Sequence, residues 1–260
     1  VEGSTRRNSN PPTRRRKTVG PFPRPHTPDP RQQSPPSPQS TLLFRSATYV
    51  ATTTSFVPRL PISSSINRNP SFKMAEPCKI YVLTYSLYGH IDKMAKEIKA
   101  GIEEAGCECV MVRCPETLPQ EVLEKMHAPP KDESIPIVEV ADLPSADGIL
   151  FGMPTRFGMV CAQMKAVLDA TGSLWQKGSL VGKPGGCFFS TGCQAGGQET
   201  TALTFVTQLA HHGMVYVPIG YSSPLLFNND EVHGGSPHGA GTIAGADGSR
   251  MPSDLEKEVS

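Results

Sequence analysis

"KIYVLTYSLYGHIDKMAKEIKAG", residues 79 to 101, decides the fold of this chain. Its first six residues form an apolar run of strand length, and the residues from 91 onward repeat with helical period. Between them, Ser86 and Gly89 mark a short polar turn. Strand, turn and helix in this order are half of a βαβ unit. The turn places free backbone N–H groups at the positive end of a helix, where a phosphate would sit.

The same alternation continues along the chain. Further apolar runs of strand length lie at 107–112, 147–152, 185–190 and 214–219. Segments of helical period lie at 91–105, 158–171 and 198–212. Strands that alternate with helices favour a parallel sheet with right-handed crossovers and helices on both faces. We therefore predict a doubly wound α/β fold with a five-stranded parallel sheet.

Two connections are longer than a compact domain needs, at 114–146 and 220–250. The first contains six prolines and a segment, 119–127, that favours a short helix. The last residues begin a helix at the Pro252–Ser253 cap. A fifth strand should be followed by a helix, so we expect a final C-terminal helix that is missing or truncated. We also expect exposed apolar residues near 214–219.

Composition divides the chain into two parts. Residues 1–73 hold twelve Lys and Arg against Glu2 and Asp29, a net charge of +10, and residues 74–260 carry −9. The first part is rich in Pro, Ser and Arg, and we expect it to be disordered. It has the composition of an organellar transit peptide. It could equally be upstream sequence read through to Met74, and a nucleic-acid arm is disfavoured by the acidic remainder.

Several function classes are excluded by what residues 74–260 lack. No apolar stretch approaches the roughly 18 to 20 residues of a membrane span, so we expect a soluble protein. All seven cysteines lie in this part without a CxxC pair, which indicates neither a disulfide framework nor a metal site. The first turn contains neither a Walker A lysine nor GxGxxG, which leaves a phosphate monoester as the better ligand. We expect one folded domain over 74–260 and no nucleic-acid partner.

Ligands of open α/β sheets bind outside the carboxyl ends of the strands, which selects three loops. In the first, Ser86 and His90 can donate hydrogen bonds, although an ordinary capped turn is an equal alternative. In the second, Arg156 could pair with an anion while Phe157 packs on a flat ligand. The alternative is a surface Arg beside a core Phe. The third loop, 190–197, offers hydroxyl donors and glycines, or is simply flexible.

Two further side chains have both a functional and a structural interpretation. Trp175 is the only tryptophan and could be a ligand platform or a core residue. His211 and His212 precede Gly213 at the end of a helix, where cations are favoured by the helix dipole. One of these histidines could instead face a pocket as a proton donor.

Several motifs in order resemble one family. They are "YSLYGHI", "GMPTRFGM", "LDATGSLW", "STGCQAGGQET", "LAHHGM", "VPIGY" and residues 233–250. Together they resemble the WrbA-type NAD(P)H:quinone oxidoreductases, a flavodoxin-like family, over residues 78 to about 254. His238 departs from the Tyr usual in that family.

The resemblance implies noncovalently bound FMN and assigns residues to it. Its phosphate loop is matched by Ser86, Leu87, Tyr88, Gly89, His90 and Ile91. The loops beside the flavin ring are matched by Pro154, Thr155, Arg156, Phe157, Ser190, Thr191, Gly192, Cys193, Gln194, Ala195 and Gly196, with His211 as the histidine near the flavin. For the substrates, the resemblance implies Trp175 on the quinone side and Tyr88 at the nicotinamide.

The implied reaction is a ping-pong reduction of quinones to hydroquinones, in which NADH or NADPH reduces the flavin by hydride transfer. The flavin supplies the chemistry, so no catalytic side chain is assigned. The resemblance also implies a homotetramer in which the 220–250 loop helps to build the site across subunits. We expect a cytoplasmic protein, in solution or at a membrane surface, or an organellar one if residues 1–73 are a transit peptide.

Two other functions stay open at this point. One is a flavodoxin-like electron carrier or flavin-holding scaffold with little quinone turnover. The 220–250 insertion and Trp175 favour the enzyme, because a carrier needs an exposed flavin edge and no second substrate pocket. The other is an inactive product of an aberrant transcript, an interpretation that rests on the two chain ends.

Overall fold

The computed structural model describes residues 78–260, and its centre is a mostly parallel sheet. The strands are β1 (Lys79–Thr84), β2 (Glu108–Arg113), β3 (Gly148–Arg156), β4 (Met159–Val160), β5 (Pro184–Thr191), β6 (Val215–Tyr216) and β7 (Gly241–Ile243). Along the main path the order is β2-β1-β3-β5-β6, and each neighbouring pair is parallel. This is the strand order of flavodoxin-like doubly wound folds. The predicted fold class is therefore confirmed.

The predictions for residues 1–73, namely disorder and the interpretations of their origin, lie outside the described residues. The proposed boundary at residue 74 also lies outside them.

Helices connect the strands and cover the sheet. They are α1 (His90–Glu104), α2 (Gln120–Lys125), α3 (Ala162–Ala170), α4 (Gly172–Lys177), α5 (Gln198–His211) and α6 (Asp254–Glu258). Short 3-10 helices lie at Val140–Ser145 and Pro224–Phe227. Among the helices of residues 78–260, none has both the length and the apolar character to cross a membrane.

The core has two parts, one on each face of the sheet. Adjacent residues of β1 point to opposite faces, as strand geometry requires. Leu83 is fully buried and belongs to the core that α3, α4 and α5 cover, together with Phe151 and Phe205. Val82 is fully buried and belongs to the core that α1 covers, together with Met94. A sheet buried on both faces explains the continuous apolar runs in the sequence.

The structure corrects the prediction of a loop directly after the third strand. Strand β3 continues to Arg156 instead of ending before this loop. The chain turns at Phe157 and Gly158, and the following strand, β4, pairs antiparallel with β3. Phe157 and Gly158 have φ values of 55° and 75°, which is the conformation of a two-residue type I′ hairpin turn. The helix predicted over 158–171 consequently begins at Ala162 and gives way to α4 at Thr171.

The fifth strand position is shared by two short segments instead of the single run predicted at 214–219. β6 pairs with Pro184 and Gly185 at the start of β5, and β7 pairs with residues 189–191 at its end. The long connection between β6 and β7 is anchored by the Tyr216 hydroxyl, which donates to the His238 carbonyl oxygen at 2.8 Å. The exposed apolar residues expected here are Val215 and Val217, about half exposed.

A short final helix is present and begins where the sequence predicted. Ser253 is the N-cap of α6, and its side chain accepts from the Glu256 N–H, while the Glu256 carboxylate accepts from the Ser253 N–H. This reciprocal pair is a capping box. Val259, just after the helix, packs against the α1 side of the core. The short α6 segment therefore contributes to the cover of this face of the sheet.

Candidate functional site

Three loops meet in a cleft at the carboxyl edge of the sheet, with about 500 Å³ of space when the part open to solvent is included. Eleven of its lining residues are predicted site residues: Ser86, Leu87, Tyr88, His90, Ile91, Pro154, Thr155, Arg156, Ser190, Thr191 and Gly192. Ala244 and Gly248, which follow β7, complete the lining. Strands β1 and β3 are neighbours whose connections leave to opposite sides, which is the position where such folds bind ligands.

The turn between β1 and α1 forms a cradle of backbone donors. Gly89 has φ 88°, a conformation that L side chains rarely adopt, and its N–H donates to Ser86 Oγ at 3.0 Å. The N–H groups of residues 87, 88, 90, 91 and 92 have no acceptor among the described residues. Free donors at the positive end of a helix fit a phosphate dianion. The cradle therefore fits the phosphate of FMN.

A polar cluster that the sequence did not predict contacts this turn and holds it in place. Lys131 Nζ donates to the Ser86 carbonyl oxygen at 2.6 Å and lies 3.3 Å from the Glu116 carboxylate. Glu116 also accepts from the Tyr85 hydroxyl at 2.9 Å and from the Gln163 amide at 3.0 Å. These residues come from the 114–146 connection and neighbouring elements. The long Pro-rich connection thus fixes the cradle.

The ionisation of this cluster follows from its surroundings. Burial raises the pKa of Tyr85, and the hydrogen bond to Glu116 raises it further. Burial alone would raise the pKa of Glu116, but donors that include the Leu118 N–H hold it below its usual value. Burial also raises the pKa of Asp92, against the opposing effect of Lys131. At neutral pH Tyr85 is therefore a neutral donor to an ionised Glu116.

The hairpin β3–β4 is tied to α5 by hydroxyl groups. Thr201 donates to the Gly197 carbonyl oxygen at 2.7 Å, so its oxygen accepts from the Thr155 hydroxyl at 2.6 Å. Thr155 Oγ1 in turn accepts from the Gly158 N–H at 3.2 Å. Arg156 donates only to the neighbouring Thr155 carbonyl oxygen, at 2.8 Å, among the described residues. Its guanidinium therefore keeps most of its donors for a ligand at the cleft.

The third loop contributes its first residues to the cleft and turns the others outward. Ser190 and Thr191 are buried, and the Thr191 hydroxyl donates to the Cys193 carbonyl oxygen at 2.8 Å while accepting from the Gln198 amide at 3.0 Å. Three predicted residues are exposed beyond it: Cys193, Gln194 and Ala195. Gly196 is partly exposed. Of these four, none is among the residues that line the cleft.

Three other predicted residues lie apart from the cleft of their own chain. Phe157 is fully exposed at the tip of the hairpin. Trp175 lies on α4 with 58% of its surface exposed. His211 ends α5, about 20 Å along the helix from the end that faces the cleft. Tyr88, in contrast, lines the cleft, and its hydroxyl donates to the Met126 carbonyl oxygen at 3.1 Å.

The segment after β7 is the second feature that sequence reasoning from single loops missed. His90 Nε2 donates to the Arg250 carbonyl oxygen at 3.0 Å, across 160 positions of sequence. "DGSR", residues 247–250, was part of the motif set that carried the resemblance, but nothing local in it indicates contact with His90. The contact closes the cleft on the side of β7.

Fold and site together define a class: a flavodoxin-like protein whose first βα turn offers free backbone donors that fit a phosphate group. Residues 79–224 match the NADPH-dependent FMN reductase family, and the chain belongs to that family. FMN as the cofactor and NAD(P)H as the electron donor, both predicted from the sequence, are thereby confirmed.

Two relatives and one solved structure illustrate the similarity. The chain is 58% identical to the quinone-oxidoreductase QR2 of Triphysaria versicolor over 180 residues, which cover 68% of this chain and 87% of that one. It is 55% identical to a probable NAD(P)H dehydrogenase (quinone), FQR1-like 2, of Arabidopsis thaliana over 186 residues, 71% of this chain and 68% of the relative. A WrbA-like flavodoxin structure from Agrobacterium tumefaciens shares 25% identity with a TM-score of 0.42 and covers 56% of this chain and 81% of that one.

Proposed function

We propose that this chain is an FMN-dependent NAD(P)H:quinone oxidoreductase of the WrbA type. The observation that carries the proposal is the convergence of three loops on one cleft, with unpaired backbone donors at the β1–α1 turn. The two relatives described above, both named as quinone reductases, supply the substrate class. The enzyme reduces quinones to hydroquinones in two-electron steps, and bound FMN supplies the hydride chemistry.

The residues of the chain bind and orient the reacting groups. The donors of residues 86–91 hold the phosphate, and the partly buried Lys131–Glu116 cluster keeps that turn in place. Thr155 fixes the hairpin so that Arg156 can donate to the polar edge of the flavin. Tyr88, partly exposed at the cleft, contacts the nicotinamide. Binding and orientation are the contributions that a protein makes to cofactor chemistry.

We further propose a homotetramer in which Trp175 and His211 reach the cleft of a neighbouring chain. It is supported by their position away from the cleft of their own chain and by the full exposure of Phe157. Large exposed apolar side chains of this kind are typical of interaction surfaces. The proposed location is the cytoplasm, with an organelle as the alternative if residues 1–73 are a transit peptide.

Initial rates test the proposed reaction. NADH is varied at several fixed concentrations of benzoquinone with the FMN-loaded chain, and free FMN at the same concentration is the control. Because donor and quinone use the same place in turn, we expect parallel lines in the double-reciprocal plot and rates well above the control. Turnover no faster than free FMN would contradict the proposal and favour an electron carrier that needs a partner protein.

A further inference from the structure

Glu256 is a fully buried carboxylate at the centre of the C-terminal segment. It accepts hydrogen bonds from Arg250 Nη1 at 2.8 Å and from the Thr242 hydroxyl at 2.8 Å. Three backbone N–H groups donate to it as well, those of Gly234, Ile243 and Ser253, at 2.8, 3.1 and 2.8 Å. Burial would raise the pKa of this carboxyl, but these donors hold it below its usual value. Glu256 thus joins three separate chain segments as an ionised group.

Arg250 connects the Glu256 carboxylate to the cleft. Besides its pair with Glu256, its guanidinium donates to the carbonyl oxygens of Ile243 at 2.7 Å and Val232 at 2.9 Å. Its own N–H donates to the Ala244 carbonyl oxygen at 3.0 Å. The side chain and backbone of Arg250 are therefore both fixed, which sets the direction of its carbonyl oxygen.

That carbonyl oxygen meets the first loop of the cleft. It accepts from His90 Nε2 at 3.0 Å, and His90 is 95% buried beside the phosphate cradle. Because a carbonyl oxygen can only accept, Nε2 carries a hydrogen, and Nδ1 is the nitrogen left without a partner among the described residues. The orientation of the ring at the cradle therefore depends on where the Arg250 carbonyl points.

We propose that Glu256 is a positioning residue for the cofactor phosphate, acting through Arg250 on His90. A buried ion pair is not needed to cap a five-residue helix, because well-packed apolar residues can stabilise such a position equally well. What the ion pair adds is a defined orientation at a distant atom. The inference rests on the proposed function, in that it takes the ligand of the cradle to be the FMN phosphate.

The test compares FMN with riboflavin, which has the same ring and no phosphate. Dissociation constants of both flavins are measured by fluorescence for the full chain and for Glu256→Gln. Glu258→Gln, an exposed position on the same helix without a side-chain hydrogen bond or ion pair among the described residues, is the matched control. We expect Glu256→Gln to weaken FMN about tenfold and riboflavin less than about twofold, because the lost contact acts on the phosphate.

Two further variants distinguish positioning from general damage. In a His90→Ala background, Glu256→Gln should add less than about twofold to the loss of FMN affinity, since residues that act through one contact are not additive. Arg250→Lys keeps the charge and the backbone but loses the fork, and should weaken FMN selectively as well. It also provides the same measurement if Glu256→Gln does not fold.

Equal losses for FMN and riboflavin, additivity with His90→Ala, or no effect of either variant would overturn the inference. These outcomes are distinct from a failure of the proposed function, which would appear as a wild-type chain that binds FMN without quinone turnover. A wild-type chain that binds neither flavin would overturn both.

Discussion

Gly89 is the residue on which the phosphate cradle most directly depends. It caps α1 with φ 88°, a backbone conformation that L side chains rarely adopt. Any other residue would place a Cβ on a left-handed backbone, which is unfavourable by about 1 to 2 kcal/mol.

We predict that Gly89→Ala lowers the free energy of unfolding by about 1 kcal/mol and weakens FMN binding. Gly101→Ala is the matched control, because Gly101 lies inside α1 with open space around an added Cβ and no positive φ. That variant should stabilise the chain by about 0.5 to 1 kcal/mol and leave FMN affinity unchanged. Urea unfolding and a flavin titration measure both effects. Equal behaviour of the two variants would show that the conformation of residue 89 does not matter.

Among the individual site residues, the sequence predicted those that lie on loops. It missed those that contact the first turn from distant positions in the chain. Ser86 and His90 were predicted because a polar turn between a strand and a helix is a local signal. Lys131 and Arg250 reach the same turn from 45 and 160 positions away. Contacts at such separations leave no periodicity or spacing in the sequence, so they become visible only in the folded chain.

Elements were predicted well where strands and helices alternate, and less well where the sheet departs from that pattern. Pro154 and Gly158 are strong turn signals, which favoured a loop over 153–159. The structure instead has a hairpin whose turn begins with Phe157 at φ 55°, although Asn, Asp or Gly is usual there. The fifth strand position was equally hidden, because its two segments are separated by residues 217–240.

His212 connects one element to another. The Thr171 hydroxyl donates to the Leu168 carbonyl oxygen at 2.6 Å, so it accepts from His212 Nε2 at 2.8 Å. His212 Nδ1 is buried without a partner among the described residues. Burial lowers the pKa of His212, and the neighbouring His211 lowers it further. The contact holds the end of α5 against the junction of α3 and α4, and burial of the ring with its unpartnered Nδ1 disfavours a second proton on the imidazole.

This arrangement predicts a pH dependence of stability. The pKa of His212 is lower in the folded chain than in the unfolded one, where it is about 6.5. Its contribution is present above that pH and is lost as the pH falls through it, because the unfolded chain then binds the proton more readily. A single such proton changes the unfolding free energy by at most about 1.4 kcal/mol per pH unit.

Urea unfolding between pH 7.5 and 5.5 tests the prediction. The wild-type chain should lose stability more steeply with falling pH than His212→Gln, whose amide can still donate to Thr171. His211→Gln, at the exposed neighbouring position, should keep a slope close to that of the wild type. Identical slopes for wild type and His212→Gln would contradict the assignment.

Several large apolar side chains are exposed on the surface of residues 78–260. Phe157, Trp175, Val215, Val217 and Tyr221 are each at least half exposed. We predict that the chain assembles, with a mass in solution near four times the 27.9 kDa of one chain. Trp175→Lys should shift the assembly towards smaller species, because it places a charge in an apolar contact. Lys177→Gln on the same helix is the control, and a monomeric wild type in analytical ultracentrifugation would contradict the prediction.

The function of the whole protein was predicted because several motifs occur in the right order. The family and the named relatives confirm the reaction class. What sequence could not supply is how one chain completes its cleft. The segment after β7 and the 114–146 connection contact the cradle through residues that lie 160 and 45 positions away from it along the chain.

The most direct measurement is an anaerobic absorbance titration of the purified 260-residue chain, after FMN has been added and the excess removed. We predict that about one FMN per chain is retained, that NADH bleaches its visible band, and that one equivalent of benzoquinone restores it. A chain that retains no flavin, or a bound flavin that NADH and NADPH leave oxidised, would contradict the central claim.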